Sequence, residues 1–233
     1  MTQLEQILEL QARWDKIRIA NLYDALDQLG YPNQCLDLRI RPLFEGRHLA
    51  GKAVTVRGGR DPRSARELED TEEHDDYTVT IRRHLFPGAV VVVETAGEHY
   101  TGKYGEMTCW NLKQHGAKGI VLDSYIRDRL GLEVIPDFTP CAVGTSPIES
   151  SGRWRPKALN VPISMPGTLT AHVRVNPGDW IVGGPDGVIV VPQEIAGEAL
   201  LRAEDIERRE EGMRGDLAAG MPFDEAFKKW GRA

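Results

Sequence analysis

Pro87-Gly88 introduces the run Ala89-Val90-Val91-Val92-Val93-Glu94, in which no polar residue interrupts five apolar ones. A strand with one wet face alternates apolar and polar residues. A run apolar at every position needs cover on both faces, as in a parallel sheet between two layers. A second such run, Gly119-Ile120-Val121-Leu122-Asp123, follows after a helical pattern over 106–115 that Gly116 closes. Strand, loop, helix and strand in that order form a βαβ unit, whose crossover is right-handed. The fold class that follows is α/β.

The rest of the chain is arranged around this unit. Residues 4–12 and 17–29 read as helices, the second with Ile19, Leu22, Ala25, Leu26 and Leu29 on one stripe and Gly30-Tyr31-Pro32 as its stop. Ala53-Val54-Thr55-Val56-Arg57 is a β-branched segment between glycines and reads as a strand. The stretch from Gly58 to Asp76 carries many charges of both signs and is expected as an exposed loop or a charged covering helix. From Pro140 the pattern turns β-rich, with strands expected at 141–144, 159–164, 169–175, 180–183 and 187–192. Pro177-Gly178-Asp179 and Gly184-Pro185-Asp186-Gly187 read as turns, with Asp179 and Asp186 as turn formers. Charged helices over 193–213 and 222–230 end the chain. No internal repeat or long linker divides it, so one domain is expected over 1–233, with 1–30 as a helical lead-in and 193–233 as C-terminal helices.

The 233 residues, 41% hydrophobic and 27% charged, can bury one sizeable core. A formal charge of −6 argues against a phosphate-tracking surface, since nucleic-acid binders carry a basic face. Three cysteines without close ligand spacing fit a reducing cytoplasm, with Cys109 and Cys141 packed as small hydrophobes. There is no run of ~20 apolar residues to span a membrane and no secretory pattern at the amino terminus. A cytoplasmic protein is the expectation.

Candidate chemistry collects at the ends of the two buried strands. Gly105-Glu106-Met107-Thr108 opens the helix after the first, and Asp123-Ser124-Tyr125-Ile126-Arg127-Asp128 follows the second. Both can face one crevice at the carboxyl ends of neighbouring strands, where α/β sheets bind ligands. Arg127 can grip a carboxylate through its planar fork. Asp128 is a hard oxygen ligand of the type that Mg²⁺ or Mn²⁺ prefers. A small anionic substrate beside a divalent metal is the reading. The bland counterpart is a surface ion pair at a helix start, worth roughly 0–1 kcal/mol, with Glu106 serving only to complement a helix N-terminus.

Six segments in order resemble the RraA-like family: Pro87-Gly88 before a Val-rich strand, Gly105-Glu106, Asp123 with Arg127-Asp128, Asn160-Val161-Pro162, Pro177-Gly178-Asp179, and Asp186-Gly187-Val188-Ile189-Val190-Val191-Pro192. That family groups the regulator of ribonuclease E activity with the class II 4-hydroxy-4-methyl-2-oxoglutarate / 4-carboxy-4-hydroxy-2-oxoadipate aldolases. The resemblance implies a β/β/α layered fold like the swivelling phosphohistidine domain, assembled as homotrimers or dimers of trimers. It implies that Gly105, Glu106, Met107, Thr108 and Arg127 line the substrate site and that Asp128 takes the metal. Glu106 stands where an aspartate is also found, one methylene shorter, and Pro185 interrupts a turn usually richer in aspartate.

Retro-aldol cleavage of a 4-hydroxy-2-oxo acid and decarboxylation of oxaloacetate both leave a pyruvate enolate, whose charge the metal, Arg127 and the turn amides would stabilise. Glu106 is the candidate base for the 4-hydroxyl proton, with His99 or Tyr100 as alternatives. Asp123 is read as a supporting residue behind the site, Arg153 as a second carboxylate anchor, and Trp110 and Trp154 as packing residues, with Ser151-Gly152-Arg153-Trp154 as an optional rim. The alternative function is a non-catalytic RraA-like protein that modulates a ribonuclease, docking its acidic surface on a basic partner. Methyl transfer to a quinone is set aside, because no Gly-rich adenosyl-cofactor loop follows the first strand.

Overall fold

The two Val-rich runs lie side by side in the middle of an eight-stranded mixed sheet in the computed structural model, which describes residues 2–63, 66–67 and 80–231. The strands are β1 (Arg41–Pro42), β2 (Leu49–Arg60), β3 (Ala89–Glu94), β5 (Ala117–Leu122), β7 (Thr139–Ala142), β9 (Trp154–Leu159), β12 (Trp180–Gly184) and β13 (Gly187–Val191). Their order is β1-β7-β5-β3-β2-β12-β13, with β9 also paired to β2. Parallel pairing joins β2 to β3, β3 to β5 and β5 to β7. The crossover between β3 and β5 carries α3 (Glu106–Gln114), as the βαβ pattern requires.

The uninterrupted apolar run of β3 is explained by what covers it. Val91 and Val93 join a cluster with Val54, Ile120, Leu112, Leu132 and Phe138, while Val90 and Val92 join another with Val121, Met165, Val175 and Val190. Successive side chains point to opposite faces of a strand, and both faces here are dry. Helix α3 covers the first face. The hairpin of β10 (Ile163–Pro166) and β11 (His172–Val175) covers the second. A third cluster packs α1 (Gln3–Trp14), α2 (Ile19–Gln28) and α5 (Ala196–Ala218) on Trp180, Val182, Ile189 and Val191 of the β12–β13 hairpin. Helix α6 (Phe223–Trp230) ends the described chain against α5. No helix among the described residues is long and apolar enough to cross a membrane.

Strand β2 is longer than the sequence pattern indicates, and it changes partner along one edge. Leu49 to Lys52 pair with β12, whereas Val56 to Arg60 pair with β9, with a register shift between Arg57 and Gly58. The strand expected at 159–164 is divided instead: β9 ends at Leu159, Asn160 turns at φ 52°, and β10 begins at Ile163. Trp154, expected as packing with a rim as the option, starts β9 and is 4% exposed. Asp179 does tie a turn, accepting the Asn176 and Gln193 amides at 2.7 and 3.2 Å, and Asp186 sits exposed between β12 and β13. Most of the charged stretch expected before Asp76 lies outside the described residues, apart from 58–63 and 66–67.

Candidate active site

Beyond the carboxyl ends of the main sheet, a small parallel sheet of two-residue strands joins three loops. It is formed by β4 (Gly102–Lys103), β6 (Tyr125–Ile126) and β8 (Gly144–Thr145). Gly102 pairs with Tyr125 and Lys103 with Ile126. Two residues further on, the chains therefore run side by side: Tyr104, at φ 54°, leads into Gly105 as the N-cap of α3, and Arg127 leads into Asp128 as the N-cap of α4 (Arg129–Glu133).

The sequence-predicted residues meet at this point. The Glu106 backbone N–H donates to Asp128 Oδ2 at 3.2 Å. A β-carbon on Gly105 would fall 2.3 Å from the same oxygen, so only glycine allows the carboxylate so close to the helix start. Asp128 itself is left-handed, at φ 63° and ψ 46°, a conformation in which Asp and Asn are enriched among non-glycine residues. Arg127 Nε lies 3.5 Å from Asp128 Oδ1, and Nη1 lies 3.7 Å from Glu149 Oε1. Those are long contacts, and the guanidinium, whose side chain is 31% exposed, retains donors for an incoming carboxylate. The amides of Met107 and Thr108 lie in the first helical turn, where no preceding turn supplies acceptors.

Glu106 and Thr108 leave the helix in different directions. The Glu106 side chain lies over Gly131 of α4, and no described residue donates to its carboxylate. Thr108 lines a cavity of about 140 Å³ with Tyr104, Leu112, Ser150 and Trp154. The Met107 side chain is 69% exposed.

Asp123 ties strand ends together. Its Oδ1 accepts the Thr95 N–H at 2.9 Å, joining β5 to β3, and burial pushes its carboxyl up against the opposing pull of that hydrogen bond. Arg153 donates to the carbonyls of Glu149 and Ser151, both at 3.2 Å, and so engages its own loop. His99 and Tyr100 are exposed. Cys109 and Cys141 are free, fully buried thiols, pushed up by burial.

A buried ion pair supports the site, and the sequence pattern gives no sign of it. Lys103 is 0% exposed, and its ammonium donates to the Glu98 carboxylate, to the carbonyls of Glu98 and Thr101 at 3.2 and 3.0 Å, and to Ser124 Oγ at 3.1 Å. It also sits 5.6 Å from the Trp154 ring centroid. Burial pushes the Glu98 carboxyl up, but hydrogen bonds from Lys103, Thr101 and the Tyr100 amide outweigh it and hold the group at about 2. Burial pushes Lys103 down, against the pull of Glu98. The network fastens the 98–103 loop to Ser124 and so fixes the small sheet that carries Gly105 and Asp128.

No group of three or more His, Cys, Asp or Glu side chains suited to a metal occurs among the described residues. The donors present still fit a hard cation. Mg²⁺ keeps several waters and is commonly held by one or two carboxylates together with substrate oxygens. Asp128, cradled at Gly105, and the unengaged carboxylate of Glu106 supply that set.

The family model RraA-like (Aldolase/RraA) matches residues 19–190. A protein of Halalkalibacterium halodurans, provisionally named a 4-hydroxy-4-methyl-2-oxoglutarate aldolase, is 30% identical over 84% of this chain and 84% of its own length. An uncharacterised protein of Methanocaldococcus jannaschii is 26% identical over 88% of this chain and 93% of its own. Among solved structures, Streptomyces coelicolor RraAS2, described as an unusual member of the RNase ES inhibitor RraA family, superposes with a TM-score of 0.72 at 28% identity, covering 88% of this chain and 96% of that one. That superposition shows a shared fold, and the chain belongs to the RraA-like family, which holds both class II aldolases and RraA regulators.

Proposed function

We propose that this chain is a divalent-metal-dependent carbon–carbon lyase that cleaves a 4-hydroxy-2-oxo acid, decarboxylates oxaloacetate, or does both, releasing pyruvate. The observation that carries the reading is the 3.2 Å hydrogen bond from the Glu106 amide to Asp128, which sets a helix N-terminus, a carboxylate and the Arg127 fork around one crevice. The reading treats the chain as a single RraA-like domain acting in the cytoplasm as a homotrimer or a dimer of trimers.

In this mechanism Arg127 takes the substrate's 1-carboxylate through paired N–H donors. The Met107 and Thr108 amides face the crevice with the positive end of the helix dipole. When bound, the cation supplies Lewis acidity toward the 2-keto oxygen, with Asp128 as its protein ligand and Glu106 beside it. The Glu106 carboxylate takes the 4-hydroxyl proton as the C3–C4 bond breaks, its electron pair passing into the pyruvate enolate while C4 leaves as a carbonyl. Protonation of the enolate carbon completes pyruvate. In oxaloacetate the same bond breaks to release CO₂, and no base is needed at C4.

The test is pyruvate release, coupled to lactate dehydrogenase, from 4-hydroxy-4-methyl-2-oxoglutarate and from oxaloacetate, with Mg²⁺, with Mn²⁺ and with EDTA. Metal-dependent release that vanishes in Arg127→Ala and Asp128→Ala supports the lyase. Absence of turnover and of metal binding in the folded protein favours a non-catalytic ribonuclease modulator.

A further inference from the structure

Arg127 has a second carboxylate neighbour besides Asp128, and the proposed mechanism gives it no part. Glu149 Oε1 lies 3.7 Å from Arg127 Nη1, while Asp128 Oδ1 lies 3.5 Å from Nε, so the two carboxylates meet different nitrogens of one guanidinium. Asp128 is committed elsewhere as well, since it accepts the Glu106 amide. Glu149 is not: among the described residues its carboxylate has no partner other than Arg127.

The backbone sets Glu149 beside Arg127. The loop over 146–153, between β8 and β9, is bonded to the small sheet: the Ser146 N–H donates to the Ile126 carbonyl at 2.9 Å, and the Gly102 N–H donates to the Ile148 carbonyl at 2.8 Å. Gly102 also forms a parallel bridge with Glu149. The same glycine abuts the arginine, because a β-carbon on Gly102 would fall 2.7 Å from Arg127 Cβ and 2.3 Å from the Ser146 carbonyl oxygen. One residue without a side chain thus brings loop and arginine together. Arg153 closes the loop from behind by donating to the Glu149 carbonyl at 3.2 Å. The Glu149 side chain, by contrast, is 69% exposed.

A fixed backbone carrying a free carboxylate is a tethered ligand. It competes for the guanidinium at an effective concentration set by the tether rather than by the solution. At 3.7 Å the pair is an ion contact, longer than the about 2.7–2.9 Å of a charge-assisted hydrogen bond, and exposed contacts of this kind are weak. A substrate carboxylate that accepts paired N–H bonds therefore displaces Glu149, which swings into water with no other bond broken. A neutral ester or amide of the same acid offers the guanidinium less and loses the exchange.

We infer that Glu149 is a specificity-determining residue of the lyase site, a tethered carboxylate that holds the Arg127 fork until the carboxylate of a 2-oxo acid takes it. The inference rests on Arg127 as the carboxylate anchor of the proposed lyase.

Calorimetric binding of pyruvate to the full chain, with Mg²⁺ present, reads the exchange without turnover. We expect Glu149→Gln to bind pyruvate about two- to fivefold tighter than the wild type, the range of a weak exposed ion pair. Glu149→Asp, whose arm is one methylene shorter, should match Glu149→Gln, because the contact is already at the limit of its reach. Arg127→Ala should weaken binding, and adding Glu149→Gln to it should change nothing further. If Glu149→Gln binds as the wild type does, the inference is overturned while the lyase reading stands. The same holds if Glu149→Gln tightens binding but Glu149→Asp does not, since the effect is then that of a distant charge. Weaker binding of Mg²⁺ alone by Glu149→Gln also overturns the inference and makes Glu149 a metal ligand. Pyruvate binding that ignores Arg127→Ala, or no binding by any variant, overturns both.

Discussion

The carboxylate of Glu106 lies against the backbone of Gly131, so closely that a β-carbon on that glycine would meet Oε2 at 2.0 Å and Cδ at 2.2 Å. The blocking atom belongs to a flexible side chain, so Gly131→Ala should leave stability within about 1 kcal/mol, helped by the better helix propensity of alanine. It should swing Glu106 away from its seat and lower kcat for the 4-hydroxy-2-oxo acid about tenfold or more, since a general base contributes roughly 10²–10⁴-fold. In a Glu106→Gln background the same change should add little. Steady-state kinetics on the four variants of this cycle would reveal the coupling. Full turnover in Glu106→Gln would reduce Glu106 to a helix-start charge.

Arg127 and Asp128 should fail in different ways. Arg127→Lys keeps the charge but loses the planar fork, so KM should rise with a smaller effect on kcat. Asp128→Asn keeps the backbone and the acceptor for the Glu106 amide but drops the charge, so the Mg²⁺ concentration for half-maximal rate should rise steeply. Metal titration of pyruvate release distinguishes the two.

The Glu98–Lys103 pair should be costly to break and cheap to delete. Lys103→Met strands a buried carboxylate and is expected to cost about 3–5 kcal/mol. The double variant Glu98→Gln/Lys103→Met should recover much of that loss, because no charge is then left alone. Urea unfolding of the three proteins measures the difference, and equal stability for the single and double variants would show that the ion pair is not the source.

Acid should weaken the protein through the same pair. The folded Glu98 carboxyl sits at about 2, whereas an unfolded glutamate titrates near ~4.3. A depressed acid contributes stability that is fully present above the unfolded value and is lost as pH falls through the folded one. The wild type should therefore lose stability between about pH 4.3 and pH 2 more steeply than Glu98→Gln. Unfolding midpoints of both proteins across that range test the difference in slope.

The sequence exposes parts of this molecule where local pattern and final environment agree. The all-apolar run of β3 announced two covered faces, and α3, expected over 106–115, spans Glu106–Gln114. Strand β9 escaped notice because Arg155, Pro156 and Lys157 suit an edge, and it exists as the second partner of an overlong β2. The helix after β13 runs to Ala218, through Gly212 and Gly215, because Trp230 of α6 covers it at Gly212. At the candidate site, the meeting of Gly105 and Glu106 with Arg127 and Asp128 was legible because both pairs lie in the connections beyond the two buried parallel strands β3 and β5. The Lys103 ammonium was not, since lysine is almost never fully buried and two-residue strands leave no periodicity to read.

The left-handed backbone at Asp128 narrows what this position can become. Only glycine, asparagine and aspartate adopt such angles readily, and aspartate and asparagine have nearly the same shape. An exchange between them removes a charge while the turn, the cap on Glu106 and the helix after it remain available. Chemistry at this point is thus separable from architecture. A lineage carrying this fold could add or remove a charge at this point by one exchange, keeping throughout the turn and helix that surround it.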